Sequence, residues 1–192
     1  MVFVAFEGPS GGGKSTAIES LKKIFEQRGF RIGVVDTDSG TYCHTLQRVA
    51  KKFFAHSSLR NFIFWIIRFK EAKAIREMNK EDYDIIFADR YAGTSVVFSL
   101  CSKVPKGIVM WFYSRIKPKP DITFFFDTSL KETRKRKLSE TNKKGMNSLS
   151  LKTIRMYRKV AKDFKWKWIN ASQNEGMVVS DCIAFIFERM KK

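Results

Sequence analysis

Val2-Phe3-Val4-Ala5-Phe6-Glu7-Gly8-Pro9-Ser10-Gly11-Gly12-Gly13-Lys14-Ser15-Thr16 stands at the head of the chain, and its order decides the fold. Five apolar residues run straight into the pattern G-x-x-x-x-G-K-[ST] at Gly8 to Ser15. Ala17-Ile18-Glu19-Ser20-Leu21-Lys22-Lys23-Ile24-Phe25 then continues at helical spacing. Where a buried strand turns at once into a helix, the backbone N–H groups of the loop and the first helical turn point at one spot and cradle phosphate oxygens. On this reading Gly8, Pro9, Ser10, Gly11, Gly12, Gly13, Lys14, Ser15 and Thr16 bind a nucleoside triphosphate. Lys14 supplies a point charge for the β- and γ-phosphates, and the Ser15 hydroxyl is placed to ligate Mg²⁺. The competing reading is a glycine-rich turn that binds nothing, which leaves the flanking strand and helix as coincidence.

Working outward, short apolar runs alternate with amphipathic helical patterns to the end of the chain, the signature of a sheet with helices on both faces. Strands are expected at 2–6, 32–35, 85–88, 122–126 and 166–170, each nearly all apolar, as parallel strands buried on both faces should be. Helices are expected near 14–28, 43–54, 57–79, 91–101, 106–117, 129–140, 148–164 and 174–190. Ser129 with Glu132, and Ser172 with Glu175, have capping-box spacing. Pro118 and Pro120 close the fifth helix and lead into the fourth strand. The expectation is a three-layer α/β/α P-loop fold with a five-stranded parallel sheet. It forms one domain over residues 1–192, with a short mobile lid at about 137–147, a polar stretch containing Gly145.

Composition narrows the class. At 192 residues with 44% hydrophobic content, the chain supports a sizeable core and is not disordered. No apolar run approaches the roughly 20 residues of a membrane span, and the richest, 62–67, is cut short by Arg68. The N-terminal apolar stretch has neither a basic region before it nor a cleavage site after it, so no targeting segment is expected. Cys43, Cys101 and Cys182 are far apart and lack metal-ligand spacing, which fits reduced thiols in the cytoplasm. The net charge of +18 suits a protein that handles anions. It also leaves nucleic acid open as a partner, although the charge is spread over the chain rather than gathered in one arm.

Ligands of such a sheet gather at the carboxyl ends of the strands. Asp89-Arg90-Tyr91 follows the third strand. Asp89 is placed for a Mg²⁺-linked or proton-handling role, and Arg90 for bridging donor and acceptor phosphates. The alternative is a helix N-cap beside a solvated arginine. Asp127 precedes Thr128-Ser129 and reads more readily as a cap. Arg134 and Arg136 stand beside the lid segment and are candidates for closing over the triphosphate. Phe64 and Arg68, at i and i+4, share one helix face, as an aromatic platform with a donor or as a core Phe with a snorkelling Arg.

These runs together resemble the thymidylate kinase family. The resemblance rests on Phe6-Glu7-Gly8 through Gly13-Lys14-Ser15-Thr16, Phe64-x-x-x-Arg68, Asp89-Arg90-Tyr91 and Pro120-Asp121-Ile122-Thr123-Phe124-Phe125-Phe126-Asp127. It extends to Tyr157 and Ile169-Asn170-Ala171, so it covers nearly the whole chain in order. It implies transfer of the γ-phosphoryl of ATP to dTMP, with Mg²⁺. Phe64 would stack on the base, Arg68 donate to it, Arg90 contact phosphate, and Thr94 or Ser95 offer a hydroxyl beside the acceptor. It also implies a homodimer, for which the Phe- and Trp-rich segment 62–69 is a candidate. Three places depart from the family pattern, one of them the phosphate loop itself, where Gly11-Gly12 brings no arginine and leaves any helping charge to Arg134 or Arg136. Ser10 stands where an acidic residue is usual, and Asp36-Thr37-Asp38-Ser39-Gly40-Thr41 replaces an arginine-containing segment. Another nucleotide or a small metabolite as acceptor, an ATPase linked to nucleic acid, and a nucleotide-binding relative without catalysis are the other readings.

Overall fold

The computed structural model describes residues 1–36, 58–139 and 150–191. Its strands are β1 (Val2–Glu7), β2 (Ile32–Asp36), β3 (Ile85–Asp89), β4 (Ile122–Asp127) and β5 (Lys167–Asn170). The helices are α1 (Lys14–Gln27), α2 (Ser58–Met78), α3 (Ala92–Cys101), α4 (Lys106–Arg115), α5 (Leu130–Ser139), α6 (Leu151–Asp163) and α7 (Glu175–Met190). The strands form one parallel sheet in the order β2-β3-β1-β4-β5. β1 is therefore central, and the phosphate loop leaves the middle of the sheet, between the strands where the chain switches sides.

Alternation along β1 builds the three layers. Phe3 and Ala5 face a core with Trp65 of α2, Val96 and Val97 of α3, and Tyr157 and Val160 of α6. Val4 and Phe6 face the opposite core, with Ala17, Leu21 and Phe25 of α1 and Val178, Cys182 and Ile186 of α7. Phe6 sits among aromatic rings, with centroids 5.4 Å from Phe87, 5.5 Å from Phe124 and 5.9 Å from Phe126. Such packing gives the strand a fixed register, so the loop that follows starts from a rigid base.

Four strands run one residue past their apolar runs. Glu7, Asp36, Asp89 and Asp127 each close a strand, because backbone pairing continues where hydrophobicity stops: Asp36 is registered against Asp89, and Asp127 against Asn170. β5 departs from the expected pattern. It begins at Lys167 and buries only Ile169, since it is an edge strand and one side of it faces solvent. The capping expectation holds at one helix and fails at another. Ser129 Oγ accepts the Glu132 N–H at 3.1 Å. At α7 the cap is Asn174, whose Oδ1 accepts the Met177 N–H at 2.9 Å, while the Ser172 N–H is taken up by Asn170 Oδ1 at 3.1 Å. Ser172 belongs to the turn after β5 rather than to the helix.

The helix expected at 43–54, residues 37–41 and most of the lid at 137–147 lie outside the described residues. Among the described residues, no helix is long and apolar enough to cross a membrane.

Candidate active site

The phosphate loop connects β1 to α1 as the sequence requires. Gly8 has φ +146°, and a Cβ there would lie 2.9 Å from the Phe126 carbonyl oxygen, so only glycine fits where the loop crosses β4. Lys14 opens α1 and is buried. Its Nζ donates to the Pro9 carbonyl at 2.8 Å, bending the side chain back over the loop. Ser15 Oγ donates to Asp89 Oδ2 at 2.5 Å, bringing together the two residues expected to serve a cation. A hydroxyl and a carboxylate oxygen are the hard donors that Mg²⁺ takes.

A pocket of about 280 Å³ opens beside the loop, lined by Gly13, Thr16, Arg136, Ala171, Gln173 and Val178 among others. Arg136 is held across it. Its Nε donates to Glu132 Oε1 at 3.0 Å and its Nη2 to the Ala171 carbonyl at 2.9 Å. Its Nη1 lies 3.5 Å from where a Cβ on Gly13 would stand. Arg134, two residues away, is exposed on another face of α5. The structure thus brings one of the two candidate lid arginines to the loop. The β5–α7 turn was not among the candidate site residues, and its signals were its place after a strand and the resemblance at Ile169-Asn170-Ala171.

On the other side of the loop, side chains hold one another. Arg90 adopts φ +69° between β3 and α3, a conformation few non-glycine residues take. Its Nη1 donates to the Gly8 carbonyl at 2.8 Å and to Tyr157 Oη at 3.1 Å, and lies 3.4 Å from Thr94 Oγ1. Thr94 donates to Glu7 Oε2 and lies 2.9 Å from the Tyr157 hydroxyl. Glu7 also accepts the Tyr91 N–H at 3.0 Å. Burial pushes the Glu7 carboxyl above its ordinary value, with the Thr94 and Tyr91 hydrogen bonds and Arg90 and Arg68 opposing. Burial likewise pushes the Tyr157 phenol up to about 12.

Phe64 is half-buried on α2. Arg68 does not snorkel: it is 1% exposed, and its Nη1 donates to Glu71 Oε2 at 2.5 Å and to the Arg90 carbonyl at 3.2 Å. Arg68 is therefore joined to the Arg90 turn. Ser95 Oγ, fully buried on α3, has no hydrogen-bond partner among the described residues. Asp127 accepts Arg158 Nε at 2.9 Å and takes no part in this cluster. Ser10 is half-buried at the loop. Glu7, Glu71 and Tyr157 were not proposed as site residues. Glu7 ends an apolar run, while Glu71 and Tyr157 stand among charged residues on amphipathic helices, and pattern alone does not single out any of the three.

A glycine-rich loop at the centre of a parallel sheet, with a lysine at its helix start, a paired Ser15–Asp89 and an arginine at its rim, defines a P-loop phosphotransferase. Comparison with known proteins goes one step further. The profile of the thymidylate kinase family matches residues 6–182, and the chain belongs to that family. A thymidylate kinase of Bacillus velezensis is 21% identical over 100% of this chain and 97% of its own length. One from Fervidobacterium nodosum is 28% identical over 66% of each. A probable thymidylate kinase of Thermococcus kodakarensis is 27% identical over 96% of this chain and 97% of its own.

Proposed function

We propose that this protein is an ATP-dependent nucleoside monophosphate kinase that transfers the γ-phosphoryl of ATP to dTMP, giving dTDP. The observation that carries the reading is the position of Arg90. One guanidinium nitrogen bonds the first carbonyl of the phosphate loop and reaches the hydroxyl cluster of α3 and α6. A cation there stands between a donor bound to the loop and an acceptor bound against α2 and α3. Phosphoryl transfer asks the protein chiefly for alignment and charge neutralisation.

In this reading the N–H groups of residues 8 to 16 cradle the triphosphate, and Lys14 exchanges the Pro9 carbonyl for phosphate oxygens. Mg²⁺, held by the Ser15 hydroxyl with Asp89 in support, neutralises charge on the β- and γ-phosphates. Arg136 covers the donor side, where the 280 Å³ pocket is of a size to take part of the nucleoside, and Arg134 joins when the lid at 137–147 closes and excludes water. Phe64 and Arg68 face the base, and Thr94 and the unpartnered Ser95 hydroxyl meet the acceptor. Residues 1–192 act as one kinase domain in the cytoplasm, where the free thiols of Cys101 and Cys182 persist. The active form is a homodimer: Phe62, Ile66 and Phe69 form an exposed apolar stripe on α2, continued by Ile108 and Trp111 of α4. Light scattering on the eluted protein measures that mass directly.

A second reading, a kinase of the same fold for another acceptor, is favoured by Ser10, which lacks the charge the family pattern carries there. Release of ADP from Mg-ATP with dTMP, dUMP, dCMP, dGMP, dAMP, UMP and no acceptor separates the two. The greatest stimulation is expected with dTMP. A different preferred acceptor supports the second reading. ADP release that ignores every acceptor marks an ATPase, and attention then moves to exposed Arg155, Lys159 and Lys162 on α6 as a nucleic-acid surface.

A further inference from the structure

Glu7 ends β1, and nothing in the phosphate-loop pattern calls for a carboxylate at that position. The residue is 1% exposed, so its retention there needs a partner for each oxygen. Oε1 takes the Tyr91 N–H at 3.0 Å and Oε2 takes the Thr94 hydroxyl. Tyr91 is the N-cap of α3 and makes no side-chain cap hydrogen bond of its own. Glu7 therefore does from the neighbouring strand what a capping residue does locally, placing an acceptor and negative charge at a helix N-terminus.

The preceding N–H, that of Arg90, donates to the Phe6 carbonyl at 3.0 Å. Two successive N–H groups of the β3–α3 turn are thus fastened to two successive residues of β1, and Arg90 is held between them at φ +69°. A non-glycine residue stays in that region only when its surroundings impose it. The second oxygen of Glu7 leads to the same residue by another route, through Thr94 to Tyr157 and from Tyr157 to Arg90 Nη1. Packing closes the remaining gap: a Cβ on Gly93 would lie 2.7 Å from Glu7 Oε1 and 2.6 Å from the Trp166 ring. One oxygen sets the backbone of Arg90 and the other sets its guanidinium.

We propose that Glu7 is a positioning residue for phosphoryl transfer, acting through the Tyr91 N–H and through Thr94 and Tyr157 to aim Arg90 at the mouth of the phosphate loop. The proposal rests on the kinase reading above and names a residue that reading does not use.

The test is Glu7→Gln, which keeps the shape and one oxygen but presents an amide to Thr94 or to Tyr91. A positioning role lowers kcat by about tenfold or more while the KM for ATP and the Tm change little. A merely structural role moves Tm and leaves kcat per folded molecule alone. The decisive readout is a double-mutant cycle with Arg90→Lys. The loss caused by Glu7→Gln should shrink to about twofold or less once the fork it aims is gone. Equal losses in both backgrounds, or a Glu7→Gln kcat within about twofold of wild type, overturn the proposal. Should Glu7→Gln fail to fold, Tyr157→Phe cuts the second route alone and enters the same cycle with the same expectation. A wild type that phosphorylates no nucleoside monophosphate overturns this proposal and the kinase reading together. An active wild type with additive losses overturns this proposal only.

Discussion

On the α1 side of the loop, the groups that would meet a nucleotide are mostly backbone N–H groups, fixed by glycines and a helix start. On the α2–α3 side they are side chains, of which Arg68, Arg90 and Thr94 are each bonded to other side chains. Backbone sites tolerate change around them because the strand and helix supply the geometry. Side-chain sites depend on every member of the cluster. The loop accordingly keeps its glycines, Lys14 and Ser15 although the variable positions within it, Ser10 among them, depart from the family pattern.

The largest expected effect breaks the first side. Lys14→Ala removes the buried cation of the loop and should cost on the order of 10²–10³-fold in kcat, measured by ADP release with dTMP. A loss below tenfold would mean that backbone alone carries the triphosphate. Gly93→Ala attacks the second side through packing, since the new methyl meets Trp166 and Glu7. It should destabilise the protein by about 1–3 kcal/mol in denaturant unfolding; an unchanged midpoint would show that the α3 turn has room to shift. Phe64→Ala separates the two sides. Base stacking on an aromatic ring is worth about 1–3 kcal/mol, so the acceptor KM should rise by about tenfold while ATP affinity stays put. An unchanged acceptor KM places the base elsewhere.

The smallest effect concerns pH. The Glu7 carboxyl is held above its ordinary value in the folded state, chiefly by burial. The stability it contributes is therefore fully present in acid, below the unfolded glutamate value of about 4.3, and is lost as pH rises through the raised folded value. Glu7→Gln has no such titration. Its Tm relative to wild type should move in its favour as pH rises from about 4 to about 7. A constant difference across that range would mean that Glu7 has the same pKa folded and unfolded.

What the sequence made legible follows the same division. The strands and the loop declare themselves because burial on both faces demands apolar runs, and because only glycine fits where the loop crosses Phe126. Ser15 and Asp89 meet as expected, since parallel pairing puts the ends of β1 and β3 side by side. Arg134 and Arg136 look alike in sequence, and only the turn of α5 sends one to Ala171 and the other to solvent. Glu71 carried no signal, and Tyr157 entered only through the family resemblance and without a role, for a different reason: their partners are 3 and 67 residues away, at Arg68 and Arg90, and only packing selects them. β5 was read from its apolar residues as buried on both faces, although Trp168 lies half in solvent at the sheet edge.

The left-handed backbone at Arg90 sets conformational strain against side-chain bonding. Glycine would rest there without strain, at a saving of about 1 kcal/mol or more. Arg90→Gly would release that strain but leave the buried Glu7, Thr94 and Tyr157 without the cation they gather round, so the turn is held by side-chain bonds against its own backbone preference.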